Sequence, residues 1–312
     1  MSRIHEALKK AEEERAASQG AEPAVVQPIA FTPMSEPATI ATDGHSRTGV
    51  TGAGIPAPMP SFANPYSLDG LLARSPQLQW RPDEKTMLFF NNDEKASGME
   101  EYRTLRSRLY HVREKMTLKK ILVTSALPKE GKSFTAANLA QVMARQHGRR
   151  ILLIDADLRG PRLHMMLGTT SSPGLADYLQ GTVDEFSIMQ RGPMENLFFV
   201  PSGAQISDPA ELVANGRLKS LLQRVDALFD WIIIDSPPAV PVSDASVLAK
   251  SCDGVLMVVR SNATPVDMAR RAREEFPDEA LLGVVLNGTN GDAAAYSHYY
   301  YGDDVNVTEP KG

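Results

Sequence analysis

Short aliphatic runs alternate with helical patterns over most of the second two-thirds of the chain. Six runs rich in Val, Ile and Leu have the length of strands: Ile121–Thr124, Ile151–Ile154, Leu197–Val200, Trp231–Ile234, Val255–Val259 and Leu282–Leu286. Near-continuous apolar runs are typical of strands that are covered on both faces. Their alternation with helices indicates right-handed βαβ units. We therefore predict an α/β fold with a mostly parallel, doubly wound sheet in one domain, residues 89–290.

An amphipathic helix is predicted immediately before the first strand. Its apolar positions recur at spacings of three and four: Met99, Tyr102, Leu105, Leu109, Val112 and Met116. Ser97 and Glu100 form a capping-box pattern at its start. This helix would open the domain.

The first 88 residues have a different composition. Within residues 1–19 a short apolar stripe faces a Glu- and Lys-rich surface, which predicts a short amphipathic helix. Ten of the 22 prolines lie between Pro23 and Pro82, among many small residues and few charges. Residues 20–88 are therefore predicted to be a disordered Pro/Ala/Ser-rich linker.

Composition narrows the class of protein. The chain has 312 residues, and 33 basic against 38 acidic side chains give a formal charge of −5, which argues against a nucleic-acid-binding protein. Cys252 is the single cysteine, so an internal disulfide framework is excluded. No apolar run has the length of a membrane span, and the first residues do not resemble a secretory signal. A cytoplasmic protein is expected.

A phosphate-loop pattern follows the first predicted strand. The sequence Ala126-Leu-Pro-Lys-Glu-Gly-Lys-Ser133 lies between a strand and a helix, although Ala126 stands where a glycine is usual. In such a loop the backbone N–H groups surround phosphates, Lys132 contacts the β- and γ-phosphates and the Ser133 hydroxyl binds Mg²⁺. The candidate nucleotide contacts are Leu127, Pro128, Lys129, Glu130, Gly131, Lys132, Ser133 and Phe134.

Three carboxylates follow two of the other predicted strands. Asp155 and Asp157 end one strand, and Asp235 ends another before a Ser-Pro-Pro turn. Ligands of open parallel sheets bind beyond the carboxyl ends of the strands, where these acids would converge on the phosphate loop. Carboxylate oxygens are suitable Mg²⁺ ligands, so we predict a P-loop NTPase-type site for ATP and Mg²⁺.

Together, Ala126–Ser133, Asp155–Pro161 and Ile234–Pro237 resemble the nucleotide motifs of bacterial tyrosine autokinases, the BY-kinases that accompany capsule and exopolysaccharide synthesis. The likeness extends from about Glu100 to Tyr301. The related partitioning and septum-site ATPases carry an additional lysine where this chain has Leu127. That difference favours a kinase.

The resemblance implies a reaction and its residues. ATP would phosphorylate the tyrosines of the tail, residues 291–312, with Asp155 as the base and with Ser133, Asp157 and Asp235 at Mg²⁺. Arg159 would serve the same site, or pair with a surface carboxylate. Asn287 would contact adenine, or be a turn residue. The candidate phosphoacceptors are Tyr296, Tyr299, Tyr300 and Tyr301.

The resemblance also implies an assembly. Glu100, Arg103 and Arg106 match the family's Glu-x-x-Arg-x-x-Arg oligomerisation motif, which favours an interface; the alternative is that Glu100 completes the helix cap and the arginines form a solvated face. The motif implies a ring in which one tail enters the site of the neighbouring subunit. The expected partners are a membrane-bound polysaccharide chain-length regulator, which activates the kinase at the inner membrane, and a cognate tyrosine phosphatase.

Two other functions remain open on sequence. A partitioning-type ATPase switch would hydrolyse ATP without phosphorylating tyrosine. A non-catalytic nucleotide-binding scaffold of the export machinery would do neither. Leu127 and the tyrosine cluster argue against the first, and the intact Lys132 and aspartates argue against the second.

Overall fold

The structure is a computed structural model that describes residues 67–90 and 98–289. The helix predicted within residues 1–19, most of the predicted linker and the predicted tail at 291–312 lie outside the described residues.

The described residues form one seven-stranded sheet in the order β3-β4-β2-β5-β1-β6-β7. All neighbouring strands are parallel except β3 and β4. The six predicted strands are confirmed, and the sequence missed only the two-residue edge strand β3. The strands are β1 Lys120–Ser125, β2 Ile151–Asp155, β3 Gln190–Arg191, β4 Leu197–Val200, β5 Trp231–Asp235, β6 Gly254–Arg260 and β7 Leu281–Asn287.

Helices cover both faces of this sheet, as the doubly wound fold predicts. In the described residues the α-helices are α1 Leu68–Arg74, α2 Met99–Arg113, α3 Lys132–Ala144, α4 Leu163–Leu167, α5 Leu175–Gln180, α6 Pro209–Ala214, α7 Arg217–Val225, α8 Asp244–Ala249 and α9 Val266–Glu274. Short 3₁₀ turns occur at Asp226–Leu228 and Asp278–Ala280.

Alternate residues of the central strands enter two separate cores. Leu152 and Ile232 belong to the core beneath α5, α7, α8 and α9, whereas Leu153 and Ile233 belong to the core beneath α2 and α3. Both faces are therefore buried, which explains the continuous apolar runs in the sequence.

The predicted start and end of α2 need correction. Gly98, with a φ of 96°, is the N-cap, and no side chain caps the helix there, so the predicted Ser97–Glu100 capping box is wrong. The helix ends at Arg113, so Met116 lies beyond it. Met99, Tyr102 and Leu109 do point into the core.

The linker predicted over 20–88 is wrong at its carboxyl end. Residues 67–88 include α1, and Leu71, Trp80 and Met87 are buried in the two cores together with Phe89. This segment also binds α3, since the side-chain oxygens of Asn138 and Gln141 accept hydrogen bonds from the N–H groups of Leu88 and Phe89 at 2.9 and 3.1 Å. The folded domain therefore includes residues 67–88, which contribute both apolar contacts and hydrogen bonds.

Within the described ranges, no helix combines the length and the apolar character needed to cross a membrane.

Candidate nucleotide-binding and phosphoryl-transfer site

The candidate site lies at the carboxyl ends of three adjacent strands. β2, β5 and β1 are neighbours in the sheet, and Asp155 of β2 is directly opposite Asp235 of β5 in the register. The predicted phosphate loop follows β1 and leads into α3 at Lys132. Strand order thus brings the loop and the acids to one edge, as the sequence predicted.

The phosphate loop has a backbone that most residues disfavour. Gly131 has a φ of 98° and Lys129 a φ of 67°. A Cβ atom at position 131 would also collide with the side-chain amide of Asn287. Glycine is therefore required at position 131 for two independent reasons.

Side chains hold the loop in place from the loop itself, from the end of β6 and the turn after it, and from the end of β7. The buried Glu130 carboxylate accepts a hydrogen bond from the N–H of Leu127 at 2.8 Å and another from the hydroxyl of Thr264. Arg260 Nη1 donates to the carbonyl oxygen of Lys129 at 3.1 Å, and Asn287 Nδ2 donates to that of Glu130 at 2.9 Å. The loop is therefore preorganised before a ligand binds.

Sequence reasoning missed two of these contacts. Thr264 and Arg260 lie more than 100 residues beyond the loop and belong to no local motif, so the signal that brings them there is the pairing of β1 with β6. Asn287 was predicted to contact adenine or to form a turn, and its observed partner is the loop itself.

Lys132 lies between the acids. Its Nζ is 2.6 Å from Oδ2 of Asp157 and 3.7 Å from Oδ1 of Asp235, and it donates to Ser133 Oγ at 3.2 Å. Asp155 is fully buried, and its Oδ2 accepts a hydrogen bond from the N–H of Leu163 at 3.1 Å. The predicted convergence of Lys132 with the acids is therefore observed.

Several carboxylate oxygens at this rim lack a hydrogen-bond donor. Asp155 Oδ1 and both oxygens of Asp235 are buried without a hydrogen-bond partner among the described residues. Unpaired buried oxygens are costly, and they are the ligand type that Mg²⁺ prefers. This donor set fits a divalent cation beside the loop.

Burial dominates the electrostatics of these groups. It raises the pKa of Asp155 well above its usual value, and the charge of Asp235 raises it further. Burial also raises the pKa of Asp235 to about 6, although Lys132 opposes that shift. Burial alone would lower the pKa of Lys132, but Asp235 and Asp157 outweigh it, and the pKa is raised. Lys132 is therefore charged at neutral pH.

Arg159 follows the acids of β2 and pairs with a buried carboxylate. Its Nε and Nη2 donate to Asp244 at 2.8 and 3.1 Å. Asp244, at the start of α8, is only 2% exposed. The alternative expectation named a surface carboxylate, but the observed partner is buried, and the pair holds the guanidinium at the wall of the site.

An open cavity of about 630 Å³ lies over the loop. Most predicted nucleotide contacts line it, but Leu127, Glu130 and Asn287 do not. Glu130 instead binds Leu127 and Asn287 on the inner side of the loop. The predicted site residues in its wall are Pro128, Lys129, Gly131, Lys132, Ser133, Phe134, Asp157 and Arg159. The tail tyrosines, Tyr296, Tyr299, Tyr300 and Tyr301, lie outside the described residues.

The residues of the predicted oligomerisation motif lie on α2. Glu100 and Arg103 form an ion pair with each other. Arg106 instead donates from Nη1 to the carbonyl oxygen of Val142 at 3.0 Å, near the end of α3. Arg106 therefore also contributes to the packing of α2 against α3 within one subunit.

The sheet order, the phosphate loop and the acidic rim define a nucleotide-binding protein of the P-loop class. In agreement, a family model described as an AAA domain matches residues 119–267. Tyrosine-protein kinase YwqD of Bacillus subtilis is 36% identical over 218 residues, which are 69% of this chain and 91% of that relative. The chain belongs to the bacterial tyrosine kinase family.

Other relatives agree with this family. Tyrosine-protein kinase wzc of Salmonella typhimurium is 30% identical over 206 residues, 65% of this chain but only 28% of that longer protein. The kinase domain of the Escherichia coli tyrosine kinase ETK superposes with a TM-score of 0.60 at 28% identity, and the match covers 74% of this chain and 87% of that domain. The predicted fold class and family are both confirmed.

Proposed function

We propose that the protein is an ATP-dependent tyrosine autokinase. It transfers the γ-phosphoryl group of ATP to tyrosines in the terminal cluster of a neighbouring copy, at Tyr296, Tyr299, Tyr300 or Tyr301. The observation that carries the proposal is the meeting of Lys132 with Asp157 and Asp235 at the phosphate loop, beside the buried Asp155, where buried oxygens lack donors within the described residues.

The loop and its rim bind and neutralise the triphosphate. Backbone N–H groups of the loop and the start of α3 contact phosphate oxygens, and Lys132 supplies a positive charge. Ser133, Asp157 and Asp235 are the residues that would hold Mg²⁺, which neutralises phosphate charge when bound. Phosphoryl transfer depends mainly on such positioning and charge stabilisation.

Asp155 is the proposed base. A phenol has a pKa of about 10, so it is protonated at neutral pH and must lose its proton as it attacks. The raised pKa of Asp155 strengthens it as a proton acceptor, and Oδ1 has no other donor among the described residues. The phenolic oxygen forms a bond to the γ-phosphorus, the bond to the β–γ bridging oxygen breaks, and ADP leaves.

Arg159 is proposed to stabilise negative charge at the cavity wall. Its ion pair with Asp244 fixes the position of the guanidinium, and the side chain remains 40% exposed. An arginine that is held in place and still accessible can meet a phosphate oxygen with little loss of side-chain entropy.

Substitution of Asp155 tests the reaction. Asp155→Asn should reduce tail phosphotyrosine, measured by mass spectrometry after incubation with Mg-ATP, by at least 100-fold while nucleotide binding stays measurable. Asp267→Asn, an exposed change at the start of α9, is the matched control. Full phosphorylation in Asp155→Asn would remove this residue from the mechanism.

The same incubation separates the competing functions. Phosphate release without phosphotyrosine in the unmodified protein would indicate an ATPase switch. If neither free phosphate nor phosphotyrosine forms, even with the cytoplasmic tail of the expected membrane-bound regulator added, the protein would be a scaffold.

The proposed setting is a homo-oligomeric ring in the cytoplasm at the inner membrane, where the kinase regulates exopolysaccharide or capsule synthesis and export. A membrane-bound polysaccharide chain-length regulator would activate it, and a tyrosine phosphatase would reverse its action. The motif on α2 and the family support this setting. Phosphorylation adds about −1.5 to −2 charges per tyrosine, which would repel the tail from the acidic rim and loosen the ring.

A further inference from the structure

A second cavity adjoins the nucleotide cavity. Its volume is about 530 Å³, and Arg159 lines both cavities. The loop from Leu158 to Pro161, directly after the acids of β2, forms one wall. The second cavity is thus next to the site of phosphoryl transfer and shares only Arg159 with the lining of the nucleotide cavity.

The walls of this cavity are fixed by backbone hydrogen bonds. The segments 171–177 and 201–204 bind each other through Leu175 N to Pro201 O at 2.7 Å, Ala176 N to Ser202 O at 2.8 Å and Gly203 N to Ser171 O at 2.8 Å. Oδ2 of Asp177 also accepts hydrogen bonds from the N–H groups of Gly174 and Ala204. The cavity is therefore preformed, as binding sites usually are.

Two polar atoms in the cavity wall lack a partner. Ser202 is 3% exposed, and its Oγ is buried without a hydrogen-bond partner in the described residues. Nδ1 of His164, which also lines the cavity, is buried and unpaired within the same part of the chain. Burial lowers the pKa of His164, so its imidazole is neutral and can donate or accept. Both atoms would gain from a ligand hydroxyl.

The rest of the lining mixes polar serine and glutamine residues with apolar ones. Leu158, Pro161, Ile206 and Pro209 contribute hydrocarbon surface. A site that combines this hydrocarbon surface with two unpaired polar atoms suits a flat aromatic ring that carries a hydroxyl group, because the ring buries apolar surface while the hydroxyl is satisfied.

Resting on the proposed kinase function, we propose that this cavity binds the side chain of a second tyrosine from the acceptor run of a neighbouring copy while another tyrosine is phosphorylated. Tyr299, Tyr300 and Tyr301 are consecutive in the sequence. In an extended segment successive side chains point to opposite sides. Such a run can therefore present one phenol to the γ-phosphate and another to the cavity, which would explain why the acceptors are clustered.

Synthetic peptides with the sequence of residues 290–304 test the docking. Two of them keep Tyr300 as the single acceptor, with Tyr296 replaced by Phe and positions 299 and 301 both Phe or both Ala. Burial of one Phe ring is worth enough to change the KM for peptide about tenfold. With the full-length kinase, the Ala-flanked peptide should therefore have a KM about tenfold higher than the Phe-flanked peptide, at similar kcat.

Protein variants locate the effect in the cavity. Ala204 is exposed and lines the cavity, so Ala204→Trp should fill it and make the KM values of the two peptides equal. Ser202→Ala should raise the KM for the unaltered peptide about fivefold and leave that of the Phe-flanked peptide unchanged. Ser75→Ala, another buried serine without a side-chain partner in the described residues, lies outside the cavity and should change neither. Thermal unfolding and nucleotide affinity confirm that each variant is folded.

The outcomes separate the two proposals. Equal KM values for both flanked peptides on the unmodified kinase would overturn the docking proposal and leave the kinase activity established. If the KM difference between the two flanked peptides persists in Ala204→Trp, the flanking side chains bind outside the cavity, and the docking proposal is overturned as well. If no peptide is phosphorylated, the proposed function fails and the docking proposal fails with it.

Discussion

The side-chain amide of Asn287 donates a hydrogen bond from Nδ2 to the carbonyl oxygen of Glu130 at 2.9 Å. Asn287 is the last residue of β7, and Glu130 lies in the phosphate loop, so the edge strand directly supports the loop that would bind phosphate. The same amide lies where a side chain at Gly131 would have to go. Asn287 and Gly131 are therefore matched to each other.

Substitution of Asn287 distinguishes loop support from adenine recognition. One lost hydrogen bond is worth about 0.5–1.5 kcal/mol, so Asn287→Ala should weaken Mg-nucleotide binding about 2- to 10-fold. Loop support predicts the same loss for ATP and GTP, measured by titration with fluorescent analogues. A loss confined to ATP would instead favour the adenine contact. Asn196→Ala, which removes a 3.4 Å hydrogen bond to Ala144 away from the loop, is the control.

The buried acids should make the ligand-free protein less stable at neutral pH. Asp235 has a folded-state pKa of about 6 against an ordinary value of 3.8. Between these values the folded protein binds more protons than the unfolded one, so the free energy of unfolding falls as the pH rises from about 4 to about 6. Asp235→Asn should therefore raise the free energy of unfolding at pH 7.5 by about 1–3 kcal/mol, measured by urea titration. This difference between the variant and the unmodified protein should shrink towards pH 4.

Asp226 provides a control of opposite sign. Hydrogen bonds from Lys120 and Lys119 outweigh burial and lower the pKa of Asp226. Asp226→Asn should accordingly destabilise the protein at pH 7.5. If Asp235→Asn behaved in the same way as Asp226→Asn, the charge of Asp235 would be well compensated and the electrostatic account of the rim would be wrong.

Trp80 tests the amino-terminal boundary of the folded domain. It is 6% exposed and packs edge-to-face on Phe199 of β4, with ring centroids 6.0 Å apart. Trp80→Ala should lower the free energy of unfolding by about 3–5 kcal/mol in urea titrations. Leu68→Ala, at an exposed position of α1, should cost under about 1 kcal/mol. An unaffected Trp80→Ala protein would restore the linker interpretation of this segment.

Arg103 tests the proposed assembly more specifically than Arg106, because its substitution removes none of the hydrogen bonds that join α2 to α3 in the described residues. Its ion pair with Glu100 on the same helix makes a small contribution to stability, whereas Arg106 also binds α3. Arg103→Ala should therefore yield smaller particles by light scattering and at least tenfold less tail phosphotyrosine, with an unchanged unfolding midpoint. Arg108→Ala, exposed on the same helix, should leave the size unchanged. Particles of full size in Arg103→Ala would contradict the proposed role of the motif.

The central strands and the rim were predictable because their signals are local. Each buried strand is a continuous apolar run, and the acids follow directly after two of them, so parallel order alone brings Asp155 next to Asp235. The phosphate loop could likewise be predicted from one short segment of sequence, even with Ala126 in place of glycine.

Contacts between distant segments were not predictable in the same way. Residues 76–90 show no regular period, so Trp80 and Phe89 gave no sign that they enter the core. The two-residue strand β3 has too few positions for a pattern. The pairing of Arg159 with Asp244 and the contact of Thr264 with Glu130 join residues separated by 85 and 134 positions, and each depends on the completed fold.

The arrangement of Asp157 and Asp235 around the single ammonium group of Lys132 has a consequence for the order in which ligands enter. The two carboxylates outnumber this ammonium group, so the phosphates of a triphosphate without a metal meet like charge next to Lys132, although Lys129, Arg159 and Arg162 line the cavity around it. A nucleotide that arrives already complexed with a divalent cation carries less negative charge and supplies a counterion for both acids. Chelation of the metal should therefore slow nucleotide binding as well as the chemical step. The concentration of free divalent cation would then determine how fast the protein binds nucleotide.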